Sequence, residues 1–507
     1  MFDYKNKAAL GSKIGLLTSV FILITNFLLR SYFVKVYGVD LTGYYLLIVQ
    51  LMGMLNLAEL GVGTALTYIL FKPLHDGNKQ ELSVLYYIIK KIYNIISLVI
   101  FCLGIVFSLF LRDIVDIDIS SLSLYAPWII FVTSTSLSYL YSSQSVLLTA
   151  DQSIYIVKLF TGSAKCFTYV IQIVLMACRV EFWIVCLVEL LSSFILIILF
   201  ELVIKKNYLY LSAKASHPDR EYTVNIKKKI KKEIKYTFIH KVAGVAVFNT
   251  DYLIISIYLG VSVITPFSSY MMLIQAFGFI IAAVASPLGA YIGKSYHSLG
   301  QSNTLKTISL FNSLFFIIAS FCAYIFYMSS TGFIKLWMGD AIFLNPYTVF
   351  LLSLNCFVLV ARTSFDAAKI GMGYMSDVGL PLLEALINIL LSIILVHYIG
   401  IDGVIIGTLV SNIIVVLILK PIYLYKKALK QDGAFILKEL GRLWSCVIVF
   451  AALIYFLVGA NMVTESTWSE YIFGFIKSSI VPFVLILLCS VFDSNIRVLI
   501  TNKLRRI

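Results

Sequence analysis

The sequence is poor in charge and in the residue types that most enzyme sites and disulfide frameworks need. Only 13% of its 507 residues are Asp, Glu, Lys or Arg, and it holds five histidines. The eight cysteines are scattered singly without a CxxC spacing, which indicates neither a disulfide framework nor a metal site. The gaps between apolar runs are too short for a polar catalytic domain, so we do not expect an enzyme.

Apolar residues dominate instead, at 60% of the chain, and the mean hydropathy is +0.94. A helix crosses a bilayer with roughly 20 apolar residues, because it satisfies its own backbone hydrogen bonds where lipid offers none. About fourteen runs meet this criterion, so we predict an all-α, polytopic membrane protein. The predicted spans are 12–33, 44–71, 83–111, 124–150, 154–178, 182–204, 236–260, 265–292, 304–330, 346–369, 379–399, 404–421, 443–460 and 472–492.

Lys and Arg concentrate in every second gap, and the positive-inside rule therefore places both termini in the cytoplasm. The clearest basic gap is the lysine run at 227–232, whereas Asp113, Asp116 and Asp118 lie in an opposite gap. The net charge is +14. These basic residues flank apolar spans, so they indicate membrane topology and contact with anionic membrane lipids, not nucleic-acid binding.

The longest polar interruption follows the sixth span and divides the chain. We predict a six-helix lobe at 1–204, a basic cytoplasmic linker at 205–235, a second six-helix lobe at 236–421, and two extra helices with a basic tail at 422–507. A faint repeat supports this division, because Gly38, Gly43 and Tyr45 have the same spacing as Gly260, Thr265 and Phe267. Two such lobes would enclose a central cavity in a rocking transporter. Pro287, inside the eighth run, predicts a kink.

Four sequence motifs resemble those of one transporter family. They are GVDLTGYYLL from Gly38 with ELGVGTA from Glu59, NTDYLIIS from Asn249, LWMG from Leu336, and the set Glu384, Asn388 and Ser392 followed by GIDGVIIGT from Gly400. In this order they resemble the Wzx-type O-antigen, capsule and exopolysaccharide flippases of the MOP (multidrug/oligosaccharidyl-lipid/polysaccharide) superfamily.

This resemblance implies a function and a location. It implies translocation of undecaprenyl-diphosphate-linked oligosaccharide repeat units across the bacterial cytoplasmic membrane by alternating access, with other polysaccharide assembly proteins as partners. Two alternatives stay open. One is a cation-coupled multidrug exporter of the same superfamily, and the other is a scramblase that needs no ion coupling.

Ionisable side chains within spans are costly, so they are expected to line a cavity or to pair. The fifth span places Lys158, Thr161, Lys165, Thr168 and Gln172 on one helical face. Since Arg and Lys suit a diphosphate, we predict a substrate-binding set comprising Arg30, Lys158, Lys165, Arg362, Lys369 and Asn388.

Deep carboxylates are candidates for coupling to a proton or a sodium ion, and no other cofactor is expected. The predicted coupling set comprises Glu59, Asp251, Asp366 and Glu384. A simpler interpretation is that Arg362 and Asp366, four residues apart on one helix, neutralise each other.

Overall fold

A computed structural model of the chain is almost entirely helical. The structure describes residues 2–55, 62–211, 250–285, 287–298, 300–374, 377, 379–457, 462–463, 467–493 and 495–497, and these residues contain no β-strand. Contacts divide the chain into two compact units, unit 1 (Met1–Ile264) and unit 2 (Thr265–Ile507). The lobe and linker boundaries drawn from the sequence stay predictions.

Eleven helices of the described residues are long and apolar enough to cross a membrane. They account for the predicted spans except three. The second span begins in the same helix as the first, after a non-helical break at Gly38, and continues in Val62–His75 beyond residues that the structure does not describe. The fourth is a serine-rich helix that is less apolar, and the seventh lies partly outside the described residues. The prediction of a polytopic all-α membrane protein is therefore confirmed.

The described residues of unit 1 form seven main helices, and the first of them, α1, is divided by the non-helical Gly38. Their bounds are α1 Phe2–Leu55, α2 Val62–His75, α3 Lys79–Phe107, α4 Ser121–Ala150, α5 Ile154–Ala177, α6 Phe182–Asn207 and α7 Thr250–Leu259.

Helix α4 is the packing centre of unit 1, in contact with α3 and α6 through buried serines. The Ser97 hydroxyl of α3 donates to the Ser136 carbonyl of α4 at 2.8 Å. On the other side of α4, the Ser134 and Ser193 hydroxyls lie 2.8 Å apart. Small hydroxyl residues let helices approach closely and give each buried polar group a partner.

Helices α1 and α5 run side by side because glycines bring their backbones together. A Cβ atom added at Gly11 would lie 2.9 Å from the Ile154 side chain, and one added at Gly162 would lie 2.6 Å from Thr18. At Gly15, an added Cβ would lie 2.6 Å from the ammonium of Lys158. The contacts advance in the same direction along both helices, so α1 and α5 are parallel.

The two arms of the sequence repeat adopt the same backbone conformation. Gly38 has φ 78° and ψ −177°, and Gly260 has φ 87° and ψ 160°. Both conformations strongly favour glycine. Seven residues after its glycine, each arm has a buried aromatic residue, Tyr45 in the first and Phe267 in the second. The repeat is therefore structural as well as sequential.

The chain leaving α6 is fastened beside the turn between α4 and α5. The Tyr208 hydroxyl donates to the Asp151 carboxylate at 2.6 Å, and the Lys79 ammonium lies 5.6 Å from the Tyr210 ring centroid. Burial, together with the hydrogen bond to Asp151, raises the pKa of Tyr208. The phenol therefore stays a donor at physiological pH, and the beginning of the predicted linker is ordered.

In the part of unit 2 that the structure describes there are eight main helices. Their bounds are α8 Ile264–Ala285, α9 Leu288–Ser298, α10 Gly300–Met338, α11 Pro346–Met372, α12 Gly379–Ile399, α13 Ile401–Lys427, α14 Gly433–Leu457 and α15 Trp468–Phe492. Helix α8 ends at Ala285 and α9 begins at Leu288, with Ser286 between them outside the described residues, so the kink at Pro287 stays a prediction. Within α13, Asn412–Leu419 forms a π-helix.

Helices α12 and α13 pack against each other through two glycines. A Cβ at Gly403 would lie 2.4 Å from the Leu395 carbonyl carbon, and a Cβ at Gly407 would lie 2.8 Å from the Ser392 backbone nitrogen. Real Cβ atoms do not approach backbone that closely. These two glycines therefore fix the distance between the helices.

Gly407→Ala is expected to destabilise the protein by about 1–3 kcal/mol, because the new methyl group forces α12 and α13 apart. Gly441→Ala on α14 is the matched control, since no heavy atom lies within 4 Å of its added Cβ. The control is expected to be neutral or to stabilise by up to about 1 kcal/mol through helix propensity. Thermal unfolding midpoints in detergent compare the two. Equal midpoints would show that Gly407 does not set the packing distance.

The last two helices are tied to α10 by one arginine. The Arg442 guanidinium donates to both oxygens of Glu439, at 2.7 and 3.1 Å, and to the Ser313 hydroxyl of α10 at 2.7 Å. It also pairs with Asp493, which follows α15. Further along α10, the Tyr471 hydroxyl donates to the Ser329 carbonyl at 2.8 Å. Helices α14 and α15 are therefore docked on unit 2.

Candidate functional site

Unit 1 contains a largely polar cavity of about 490 Å³ between four helices. Its lining includes residues of α1, α4, α5 and α6, and most of them carry hydroxyl or charged groups. They include Thr18 and Ser19 from α1, Ser134, Thr135, Ser138 and Tyr141 from α4, Lys158, Thr161 and Lys165 from α5, and Glu189, Ser192 and Ser193 from α6. The polar stripe predicted on the fifth span therefore faces a cavity over its first half.

The second half of that stripe is buried. Thr168 and Gln172 are almost fully excluded from solvent, and the Gln172 side-chain nitrogen donates to the Val185 carbonyl at 3.3 Å. These two residues join α5 to α6 and do not line the cavity.

Lys165 lies at the inner end of the cavity and has a carboxylate partner. Its ammonium is 2.9 Å from Glu189 Oε1 and 4.9 Å from the ring centroid of Tyr169. Lys158, two turns earlier on α5, is exposed and has no carboxylate within 4 Å among the described residues. The cavity thus holds two ammonium groups and one carboxylate.

Arg30 of α1 is a third cation, deeply buried at 8% exposure. Within the described part of the chain, its Nε and Nη1 atoms have no hydrogen-bond partner. The guanidinium lies within electrostatic reach of the phenols of Tyr45, Tyr169 and Tyr252. A buried guanidinium with unused donors is costly to the fold, which makes it a candidate to receive an anion.

The three cations occupy successive depths along the parallel helices α1 and α5. Lys158 lies level with Gly15. At 1.5 Å per residue, Lys165 lies about 10 Å further along, and Arg30 lies about 22 Å beyond Gly15. Tyr169 connects the last two, since it contacts Lys165 and lies near Arg30. We call Lys158, Lys165 and Arg30 the cation line.

The predicted coupling carboxylates of this unit are only partly described. Asp251 lies on α7 and is buried, at 6% exposure. Glu59 lies outside the described residues.

Unit 2 brings four charged residues together. The Arg362 Nε donates to Asp366 at 3.1 Å, which confirms that these two residues pair. The Lys420 ammonium, from α13, also pairs with Asp366. Glu384 of α12 is 6% exposed and lies within electrostatic reach of Arg362, Lys420 and Asp366. We call these four residues the charge cluster of unit 2.

The remaining two predicted substrate contacts have structural partners. Lys369 pairs with the buried Asp377. The Asn388 side-chain nitrogen donates to the Thr408 hydroxyl at 2.7 Å, although its amide oxygen has no partner among the described residues. The structure brings neither residue to the unit 1 cavity.

Sequence reasoning missed Lys420 and Asp377. Lys420 stands at the end of an apolar run, where a lysine usually snorkels to the interface. The π-helix that directly precedes it breaks the 3.6-residue periodicity, so the direction of Lys420 could not be read from the sequence. Asp377 lies beyond the predicted span that ends at Lys369, and no sequence pattern indicated that these two residues pair.

The described residues contain no group of three or more His, Cys, Asp or Glu side chains placed to hold a metal ion. The unit 1 cavity is lined by cations, hydroxyls and one carboxylate, whereas the charge cluster of unit 2 combines two cations with two carboxylates.

No protein-family model matches the chain, and no curated protein matches it. Solved structures do match. The chain is similar to the lipid II flippase MurJ in an inward closed conformation, with a TM-score of 0.66, 16% identity, and coverage of 94% of this chain and 98% of that chain.

Two exporters are also similar. A multidrug resistance MATE family transporter of the MOP superfamily, in an inward-facing conformation, matches with a TM-score of 0.64 and 14% identity. The match covers 84% of this chain and 99% of that chain. A MATE transporter of Vibrio cholerae matches with a TM-score of 0.52 and 11% identity, and the match covers 85% of this chain and 99% of that chain. The chain is therefore a multi-pass helical membrane protein with the fold of the MOP-superfamily transporters.

Proposed function

We propose that the protein is a flippase that translocates undecaprenyl-diphosphate-linked oligosaccharide repeat units from the inner to the outer leaflet of the bacterial cytoplasmic membrane. The observation that carries the proposal is the cation line of unit 1. Three cations lie at three depths, and among the described residues Glu189 pairs with one of them, Lys165. Positive charge therefore remains for an anionic headgroup.

A diphosphate suits these groups. Ammonium and guanidinium groups both donate charge-assisted hydrogen bonds to phosphate oxygens, and the planar guanidinium can donate two in parallel. Lys158 is exposed in the cavity and would meet the diphosphate first. Lys165 and Arg30 would then hold it progressively deeper, so that no step of translocation leaves the charge without a partner.

The other parts of the substrate also have matching surfaces. The hydroxyls of Thr18, Ser138, Thr161 and Ser192 line the same cavity and offer donors and acceptors to sugars. Unit 2 has a separate apolar pocket of about 430 Å³ between α10, α11, α13 and α14, lined by aromatic residues such as Phe357 and Trp444. A pocket of this chemistry suits a polyprenyl chain.

Coupling would come from the carboxylates Glu59, Asp251, Asp366 and Glu384, which exchange a proton or a sodium ion as the cavity alternates. No covalent chemistry is required of the chain. The lipid-linked oligosaccharide is the substrate of the protein, and membrane lipids surround the protein. Other polysaccharide assembly proteins deliver or receive the repeat unit.

Cells that lack the protein are expected to accumulate lipid-linked oligosaccharide and to lose surface polysaccharide. Expression of the native chain should return the amounts of lipid-linked oligosaccharide and of surface polysaccharide to their normal levels. Extraction of the lipid fraction and quantification of its diphosphate-linked sugars measure the effect. Absence of accumulation would contradict a flippase.

Lys158→Ala is expected to slow the clearance of lipid-linked oligosaccharide about tenfold, because the first phosphate contact is removed. Lys206→Ala is the matched control, since Lys206 is an exposed lysine in the last turn of α6, outside the cavity. Membrane levels of both variants are compared by immunoblotting. If the two variants clear the lipid equally, Lys158 does not contact the substrate.

The second candidate function is a cation-coupled multidrug exporter. It is favoured by the likeness to the inward-facing MATE transporter and by Glu189, whose carboxylate neutralises Lys165 and would suit a cationic drug. Susceptibility to cationic drugs, measured in the same deletion strain, separates the two functions. An exporter predicts hypersensitivity without accumulation of lipid-linked oligosaccharide.

A further inference from the structure

The charge cluster of unit 2 lies near one end of three helices. Asp366, Glu384 and Lys420 each stand about two turns from the near end of α11, α12 and α13 respectively, roughly 8–10 Å along the helix axes. The Asp366 side chain is 34% exposed, so the cluster is not sealed within the protein. The cluster therefore lies where ions from one aqueous phase can equilibrate with buried carboxylates.

Two carboxylates in such a place would ordinarily attract a metal cation. Here, however, two protein cations are already present. Lys420 and Arg362 both pair with Asp366, and the charged groups that face Glu384 are Arg362 and Asp366 from α11 and Lys420 from α13. With all four residues ionised, the cluster carries no net charge.

We propose that Lys420 is a tethered cation that takes the place of a sodium ion between Asp366 and Glu384, so that this site couples transport to protons carried on Glu384. The inference rests on the proposed transport function and names its coupling ion.

The chemistry of the site favours a proton over sodium. Sodium would add a full positive charge beside two fixed cations and would need several oxygen ligands, whereas Asp366 already uses its oxygens on Arg362 and Lys420. A proton needs only one carboxylate oxygen, and it converts Glu384 into a neutral group that costs less to bury. No ion pair within 4 Å joins Glu384 to a cation in the described part of the chain, so its proton can leave and return.

The test compares thermal unfolding midpoints of the purified full-length protein in sodium chloride and in potassium chloride at equal ionic strength. A ligand that binds only the folded state raises the midpoint. The native protein is expected to show no difference between the two salts. Lys420→Met leaves Asp366 and Glu384 with Arg362 alone, and it should gain a sodium-specific rise of about 2 °C.

Two further variants define the site. Lys420→Met combined with Glu384→Gln should lose the sodium-specific rise, because one carboxylate is gone. Lys426→Met is the matched control, since Lys426 is an exposed lysine of the same helix, and it should behave like the native protein.

A sodium-specific rise in the native protein that Glu384→Gln abolishes would overturn the inference. A Lys420→Met variant that folds and has the same unfolding midpoint in both salts would also overturn the inference. If Lys420→Met fails to accumulate, the comparison of the native protein with Glu384→Gln decides. No substrate is present in these measurements. If cells that lack the protein do not accumulate lipid-linked oligosaccharide, the proposed function is rejected and the sodium result is unchanged.

Discussion

Arg30→Met is expected to abolish transport and, at the same time, to raise the stability of the protein. The native guanidinium is buried with two nitrogen atoms that lack partners among the described residues. A buried donor without an acceptor costs about 1–3 kcal/mol, and methionine fills similar space without that cost. Transport should fall at least tenfold, because the deepest cation of the line is removed.

Arg442→Met provides the matched control for this prediction. Arg442 is also a partly buried arginine, but Glu439, Asp493 and Ser313 use its donors. The same substitution should therefore destabilise the protein by about 3 kcal/mol, because it strands two buried carboxylates. Thermal unfolding midpoints should move in opposite directions for the two variants. If Arg30→Met lowers the midpoint and leaves transport intact, Arg30 has a structural role.

Lys165 and Glu189 are expected to respond asymmetrically to substitution. The Lys165 side chain is 38% exposed to the cavity, whereas the Glu189 side chain is 10% exposed. Lys165→Met would strand a buried carboxylate, and we expect a loss of about 1–3 kcal/mol, discounted for the water in the cavity. Glu189→Gln leaves a hydrated ammonium and should cost less than about 1 kcal/mol.

Transport should show the same asymmetry. Glu189→Gln keeps all three cations of the line and is expected to preserve transport of an anionic lipid, whereas Lys165→Met is expected to reduce it at least tenfold. The double variant should recover most of the stability and none of the transport. If Glu189→Gln abolishes transport as fully as Lys165→Met, the ion pair itself is the functional unit, which favours a cation exporter.

Most of the fold was predictable because lipid imposes one rule on every span. Runs of about twenty apolar residues must be helices, and the helices α5, α6, α11 and α12 begin within a few residues of their predicted starts. Helix α4 illustrates the limit of hydropathy alone. Its serines lower its apolarity, yet they are buried against α3 and α6, so their polarity reflects packing between helices.

The candidate site was predictable only where its residues lie on one helix. Helical spacing placed Lys158 and Lys165 on the cavity face and joined Arg362 to Asp366. Contacts between helices were not predictable, because nothing in the sequence aligns Lys165 with Glu189 or Lys420 with Asp366. Arg30 lies three residues from the end of the predicted span 12–33, a position that indicates the membrane interface, whereas the structure buries it beside Tyr169.

The leaflet distribution of the lipid-linked oligosaccharide tests the account most directly. Spheroplasts would be treated with a membrane-impermeant reagent that oxidises sugars, and the oxidised fraction of the lipid-linked pool would be measured. The account predicts a large accessible fraction with the native chain and an almost inaccessible pool with Arg30→Met or with no protein. An equal accessible fraction in the presence and absence of the protein would contradict it.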